Sequence, residues 1–190
     1  MGATTETSTK YVANTRASQF TVQVFAGGVL SAFGHSPTIV IHDFSAVVQL
    51  NPEDLSKSSL KVTISPESLA VRDDVSDKDR REIERTMKQE ILETSKYPEI
   101  AYECSNFAVS KSGEGQYSAT CNGDLTLHGI ARPKSVGARL AVSEDSLRAF
   151  GNFSILQSDY RLKPVTIAGG ALKVKDELKF SFNILARKEL

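Results

Sequence analysis

The chain has 190 residues, which suits one domain with a short tail, and 40% of them are hydrophobic, as in ordinary globular proteins. Lysine and arginine together number 23, and so do aspartate and glutamate, so the net charge is zero. A chain without excess positive charge lacks the field that attracts phosphate backbones. We therefore exclude overall disorder and expect no nucleic-acid partner.

The start of the chain is polar. It contains no apolar run of signal-peptide length, and no window of the chain approaches the roughly 20 consecutive apolar residues of a membrane span. The sequence predicts a cytoplasmic protein without stable membrane insertion, although a chain trimmed of its leader, and therefore periplasmic, would look the same. A Thr- and Ser-rich beginning with little to bury predicts a flexible tail over residues 1–14, followed by one domain over residues 15–190.

After Ala17, apolar residues alternate with polar ones, which is the pattern of strands with one buried face. Each predicted strand in the first third of the chain has its own apolar set. The sets are Phe20, Val22 and Val24, then Phe44, Ala46, Val48 and Leu50, and then Leu60, Val62 and Ile64.

One segment, residues 76–95, departs from this alternation. Ile83, Met87 and Ile91 recur at every fourth position among charged residues, which predicts an amphipathic helix. Ser76 has the spacing of an N-terminal cap to an aspartate three residues later. We interpret the charged face as solvated, and the alternative is a docking surface for a partner.

The C-terminal half contains three predicted antiparallel hairpins. The first turns at residues 112–113, and this two-residue loop sets Cys104 opposite Cys121. The second turns at residues 144–145 and the third at residues 175–177. The total is about eight strands with no α/β alternation. We therefore predict an all-β antiparallel barrel or sandwich with one inserted amphipathic helix.

The two cysteines are too few for a disulfide scaffold and lack the close spacing of a zinc site. We expect Cys104 and Cys121 to be free, buried thiols in the barrel wall. The alternative is a redox switch or a constitutive disulfide between them.

The sequence contains no hydrolase elbow, phosphate loop or zinc-protease motif. Its histidines, His35, His42 and His128, have no spacing that brings them together with a carboxylate such as Asp43 or Asp124, so we expect no metal and no cofactor. Asp124 and His128 share a face of a predicted strand but lie too far apart along it to hydrogen-bond. An enzyme that uses this pair on a bound apolar substrate is kept as an alternative.

The stretch over residues 123–133, which contains Leu-Thr-Leu-His-Gly and ends in Arg-Pro, resembles the YceI-like family of lipid-binding barrels. Supporting matches are the strand at residues 18–22, the pair at 72–73, the pair at 97–98 and the segment 172–178. The resemblance covers about residues 17–186. It implies an elongated, lipocalin-like antiparallel barrel whose apolar lumen holds a polyisoprenoid or fatty-acyl chain.

On this resemblance, the apolar strand faces become the predicted wall of the lumen. Small residues at inward positions are expected to leave room for a ligand, and the alternative is that phenylalanine and leucine fill the lumen. The small residues are Ala108, Ala119, Gly123, Ala138, Ala149 and Gly151. The predicted ligand-binding residues are Phe20, Val22, Ile64, Tyr102, Tyr117, Leu125, Leu140, Phe153, Phe180 and Phe182.

The segment over residues 25–37 is apolar and rich in glycine, so we predict that it forms the mouth of the lumen. Phe25, Phe33, His35 and Arg72 are the predicted mouth and head-group residues. The alternatives are an ordinary packed turn and, for Arg72, a solvated turn before the helix.

The sequence therefore predicts non-enzymatic binding, sequestration or transport of a long-chain amphiphile. A ligand-free module that docks through the helix over residues 76–95 is a further alternative. A homodimer is compatible with the sequence but not indicated by any motif.

Overall fold

The structure, a computed structural model, describes residues 8–27, 36–72, 75–167 and 172–189. Within these ranges the chain forms twelve strands, one helix and four short 3-10 turns. The strands are β1 Thr9–Ala13, β2 Gln19–Gly27, β3 Thr38–Ile41, β4 Phe44–Leu50, β5 Ser59–Ile64, β6 Leu69–Val71, β7 Ile100–Gly113, β8 Gln116–Leu127, β9 Ile130–Val142, β10 Ser146–Leu156, β11 Thr166–Ile167 and β12 Leu172–Lys188. The helix α1 is Asp77–Arg85 and continues through Thr86–Ile91, and the 3-10 turns are Thr15–Ala17, Leu55–Lys57, Pro66–Ser68 and Gln157–Tyr160.

Eight of the strands close into an antiparallel barrel. Their order around the barrel is β1, β4, β5, β7, β8, β9, β10 and β12, and the ring closes because β1 pairs with both β4 and β12. Strands β2, β3 and β6 extend the sheet from β12. The predicted all-β barrel with about eight strands and one inserted helix is confirmed.

Strand β1 lies inside the segment that was predicted as a flexible tail over residues 1–14, so that prediction extended too far along the chain. Residues 1–7 lie outside the described ranges. Tyr11 is 4% exposed and packs with Leu147 and Ala186 in a small core separate from the main one. Pairing on both edges stabilises this strand although it contributes few apolar residues.

The β7–β8 hairpin turns at residues 114–115, two positions after the predicted turn at 112–113. Gly115 has φ 62°, a left-handed conformation that favours glycine. A register irregularity between Lys111 and Gly113 accommodates the displaced turn.

A bulge in β7 changes which residues oppose each other farther from the turn. Cys104 pairs with Gly123, whereas Phe107 pairs with Cys121, so the predicted opposition of the two cysteines is wrong. The same bulge turns Ala108 outward, where it is exposed, although it was predicted to line the lumen. Both cysteines are nevertheless buried and their thiols are free.

The predicted hairpin at residues 144–145 is present, with Val142 paired to Leu147. The predicted hairpin at residues 175–177 is absent, because β12 runs continuously through them and its register against β2 shifts there. In this bulge Asp176 accepts hydrogen bonds from the backbone N–H and the hydroxyl of Ser158, at 2.8 Å and 2.5 Å. A Lys-Asp-Glu run that is typical of turns therefore marks a bulge.

Helix α1 begins as predicted, because the Ser76 hydroxyl accepts a hydrogen bond from the backbone N–H of Asp79 at 3.1 Å. Its last six residues, Thr86–Ile91, have the wider hydrogen bonding of a π-helix. The helix ends at Ile91, before the predicted residue 95. Glu93, two residues later, has φ 45°, which is not a helical conformation. In the described part of the chain, no helix is long and apolar enough to cross a membrane.

The helix packs against the edge strand β6. The Glu84 carboxylate accepts a hydrogen bond from the backbone N–H of Val71 at 2.9 Å, and the Arg80 guanidinium donates to the carbonyl oxygen of Val71. Through these two hydrogen bonds, side chains of the helix satisfy main-chain groups of Val71 that have no neighbouring strand to pair with at the edge of the sheet.

Candidate functional site: an apolar barrel cavity

The barrel encloses a cavity of about 1870 Å³. Typical small-molecule sites occupy about 300–1,000 Å³. At about 30 Å³ for each water-sized group, the cavity has room for roughly 60 such groups. The alternative that phenylalanine and leucine side chains fill the lumen is therefore wrong.

All ten predicted ligand-binding residues line this cavity. They come from strands on every side of the barrel, because each strand turns its apolar face inward. Seven alanines also line the cavity and contribute only a methyl group each. These are Ala26, Ala46, Ala101, Ala119, Ala138, Ala149 and Ala186.

Two glycines that were predicted to provide room in the lumen instead permit close approach between strands. A Cβ atom on Gly123 would lie 2.2 Å from the carbonyl oxygen of Glu103. A Cβ atom on Gly151 would lie 2.5 Å from the carbonyl oxygen of Gly137. The alanines, rather than these glycines, are therefore the positions at which a larger side chain would enter the cavity.

Aromatic rings form part of the cavity wall. Phe153 and Phe180 stack across β10 and β12 with ring centroids 4.8 Å apart. Phe20 makes edge-to-face contacts with Phe44 and Phe182, at centroid distances of 5.8 Å and 6.4 Å. These preferred ring geometries stabilise the wall without placing a polar group in the cavity.

The helix lines the cavity with its apolar face. Ile83, Met87 and Ile91 are half-buried, pack against the main core and contact the cavity. The sequence predicted this apolar face but gave no indication that it borders a cavity. The alternative of docking through the charged face of the helix stays a prediction, because the packing of the apolar face does not test it.

The predicted mouth is described only in part, because Phe33 and His35 lie outside the described residues. Phe25 is half-buried, and the Lys179 ammonium lies 5.2 Å from the centroid of its ring. Arg72 is exposed and does not line the cavity. Its backbone N–H donates to the carbonyl oxygen of Thr38 at 2.9 Å.

His128 lies in the two-residue turn between β8 and β9, not in a strand as predicted. It has φ 52°, and Gly129 has φ 72°. Positive φ at both central residues is the mark of a type I′ hairpin turn. A side chain on Gly129 would lie 2.7 Å from the Tyr97 ring, so both the conformation and the space favour glycine.

The His128 imidazole bonds to Glu93, with His128 Nε2 and Glu93 Oε2 2.7 Å apart. This hydrogen bond lowers the pKa of the Glu93 carboxyl. The Tyr97 ring packs on the imidazole with a centroid separation of 4.3 Å. Asp124 is exposed on β8 opposite Pro133, so the His128–Asp124 pair that was kept as a catalytic alternative is not formed.

Tyr102 places a hydroxyl group in the barrel wall. Its oxygen lies 2.8 Å from the carbonyl oxygen of Cys121 and 2.9 Å from that of Lys134. Burial raises the pKa values of the Tyr102 hydroxyl and the Cys121 thiol well above their usual range. Both groups are therefore neutral and contribute no charge to the cavity near pH 7.

Sequence reasoning missed two lysines of the cavity wall, Lys134 and Lys163. Lys134 is half-buried and occupies an inward position of β9. One signal in the sequence could have found Lys134. It lies two residues before Val136, Ala138 and Leu140, which alternate along β9, so it occupies the same face of the strand.

Comparison with known proteins supports the resemblance seen in the sequence. The model of the YceI-like domain matches residues 11–186. No curated protein sequence matches the chain significantly.

Solved structures share the fold. BcnA from Burkholderia cenocepacia superimposes with a TM-score of 0.68 at 17% sequence identity, over 91% of this chain and 98% of BcnA. A polyisoprenoid binding domain from Saccharophagus degradans, implicated in plant cell wall breakdown, gives 0.67 at 14% identity, over 94% of this chain and 98% of that one. The Campylobacter jejuni YCEI protein gives 0.59 at 16% identity, over 80% and 85%. With the family model matching nearly the whole barrel, this chain belongs to the YceI-like domain family.

Proposed function

We propose that the protein binds a long-chain amphiphile of polyisoprenoid or fatty-acyl type in the barrel cavity and sequesters or transports it without catalysis. The observation that carries this proposal is the hollow, mostly apolar cavity of about 1870 Å³. The description of the Saccharophagus degradans neighbour as a polyisoprenoid binding domain supports the ligand class. A cytoplasmic location and a homodimeric state remain proposals from the sequence.

The energetics of burial are sufficient for tight retention of an apolar chain. Each methylene removed from water contributes about 0.8 kcal/mol, so about sixteen methylenes contribute roughly 13 kcal/mol, of which about 5 kcal/mol offsets the cost of association. A net binding free energy of about −8 kcal/mol corresponds to a micromolar Kd. Burial alone therefore accounts for binding, and no catalytic residue is required.

The first experiment asks whether the protein carries a lipid. We expect mass spectrometry of an organic extract of the purified protein to find a long-chain lipid at close to one molecule per chain. Delipidated protein is then titrated calorimetrically with straight-chain alcohols of increasing length, below their solubility limits. Affinity should rise with each added methylene, by up to about fourfold if burial is complete.

A matched pair of variants on β9 locates the binding. Ala138 lines the cavity, whereas Ala141 is exposed on the outer face of the same strand. Ala138→Phe should shorten the longest chain that still gains affinity, because its ring occupies the lumen, and Ala141→Phe should behave like the wild type. No alcohol binding to the wild type, or the same length dependence in both variants, would contradict the proposal.

A further inference from the structure

The barrel wall is interrupted between β9 and β10. Their ladder extends only from Val142 paired with Leu147 to Arg139 paired with Phe150. The next contact, between Gly151 and the Gly137 carbonyl group, is a close approach of the two backbones. The earlier part of β9, which includes the exposed Arg132 and the half-buried Lys134, has no such pairing with β10.

A side pocket of about 230 Å³ lies at this interruption. At about 30 Å³ for each water-sized group, it has room for roughly eight such groups, which suits a phosphate or carboxylate group rather than a chain. Lys134 lines both this pocket and the main cavity, so the two spaces adjoin. The residues that line the side pocket are Arg132, Pro133, Lys134, Ile155, Asp159 and Tyr160.

The side pocket presents two cations. Arg132 Nε donates to the backbone carbonyl oxygen of Asp159 at 3.3 Å, and Lys134 Nζ donates to the backbone carbonyl oxygen of Ser154. Within the ranges that the structure describes, neither Arg132 nor Lys134 forms an ion pair with a carboxylate. A half-buried cation such as Lys134 is costly without a counter-charge, so this arrangement favours an anion in the pocket.

The Tyr160 hydroxyl adds a neutral donor to the side pocket. Tyr160 as a residue is only 2% exposed, and its hydroxyl forms no hydrogen bond with any residue that the structure describes. Among the described residues no buried side-chain oxygen or nitrogen lacks a partner, so this hydroxyl is accessible at the wall of the pocket. Burial and the Asp159 carboxylate raise the pKa of this hydroxyl, and Arg132 lowers it, so it is protonated and available as a donor near these charges. Its proton can therefore be donated to an oxyanion in the pocket without breaking a hydrogen bond within the described residues.

We propose that the side pocket binds an oxyanion of phosphate or carboxylate type through Arg132, Lys134 and the Tyr160 hydroxyl. The inference rests on the proposed function in one respect: the oxyanion is the head group of the amphiphile whose chain occupies the cavity. Among the residues that the structure describes, Asp159 is the one carboxylate that lines the pocket, so with Arg132 and Lys134 the lining carries a net charge of plus one.

The test compares two ligands that share one chain. Delipidated full-length protein is titrated calorimetrically with decyl phosphate and with decanol, both below the concentration at which they aggregate, and separately with inorganic phosphate. We expect decyl phosphate to bind about tenfold more tightly than decanol, because hydrogen bonds to charged groups stabilise a complex about twice as much as neutral ones.

Variants assign that preference to the pocket. Lys134→Met and Arg132→Gln should each reduce the preference for decyl phosphate over decanol to about threefold or less, whereas Lys134→Arg should keep most of this preference. Asp159→Asn should increase it, because it removes the opposing charge. Arg139→Gln, on the exposed outer face of β9, is the matched control and should bind both ligands like the wild type. Unchanged decanol affinity in each variant shows that the barrel is folded.

The outcomes separate this inference from the function on which it rests. Equal affinity for the two ligands in the wild type and in Lys134→Met refutes the side pocket as a head-group site and leaves cavity binding intact. Binding of neither ligand refutes the proposed function. Inorganic phosphate that binds the wild type and not Lys134→Met, without any preference between the two decyl ligands, overturns the head-group assignment in favour of a free-anion site.

Discussion

Replacing Tyr102 by phenylalanine removes a single oxygen atom from the barrel wall and leaves the ring in place. The side chain extends from β7, and its hydroxyl contacts the backbone carbonyl groups of Cys121 on β8 and Lys134 on β9, at 2.8 Å and 2.9 Å. Tyr102 is 8% exposed, so water does not readily replace this donor. The variant therefore tests whether the hydroxyl holds these strands together.

The expected loss follows from the number of protons available. A hydroxyl has one proton, so it donates fully to only one of the two carbonyl oxygens at a time. A buried hydrogen bond contributes about 0.5–1.5 kcal/mol, and an acceptor left unsatisfied adds to its loss, so Tyr102→Phe should lower the free energy of unfolding by about 1–2 kcal/mol. With an m value of about 2 kcal/mol/M in urea, the unfolding midpoint should fall by about 0.5–1 M.

Tyr117→Phe is the matched control. Tyr117 lines the same cavity and is half-buried, but its hydroxyl forms no hydrogen bond in the part of the chain that the structure describes. Its replacement should change the free energy of unfolding by less than about 0.5 kcal/mol. Urea unfolding followed by circular dichroism measures both variants. Equal midpoints for Tyr102→Phe and Tyr117→Phe would refute the reasoning.

Two further predictions concern the same wall. Gly123→Ala should lower the free energy of unfolding in urea by about 1–3 kcal/mol, because its Cβ would lie 2.2 Å from the Glu103 carbonyl oxygen. Gly137→Ala is the control, because a Cβ atom there would have no neighbouring atom within 4 Å and should cause no such loss. Equal losses in the two variants would contradict this reasoning. Stability measured from pH 7 to 11 should fall above about pH 9, because the folded-state pKa values of Cys121 and Tyr102 are raised and the unfolded chain releases these protons first. Tyr102→Phe should make the loss of stability above pH 9 smaller. A pH dependence of stability identical to that of the wild type would count against this role of Tyr102.

The sequence alone was sufficient for features that depend on local periodicity. Alternation identified all ten predicted ligand-binding residues as facing the cavity, because successive side chains of a regular strand point to opposite faces whatever the strand pairs with. It failed at Ala108, where the bulge in β7 exchanges the two faces. The serine cap and the four-residue repeat identified helix α1, because both are local in sequence and need no distant partner. The turn at residues 144–145 was also predicted correctly, since its two-residue loop has no irregularity beside it.

The tertiary structure decided what depends on a distant partner. The displaced turn and a bulge in β7 together determined that Cys104 opposes Gly123, and an inserted residue in one strand has no signature in the alternation of its partner. The meeting of His128 with Glu93 and the pocket that contains Lys134 and Tyr160 join segments remote in sequence. Local patterns specify which face a side chain occupies, but register and ring closure are set by the pairing of whole strands, so these sites exist only once the barrel has formed.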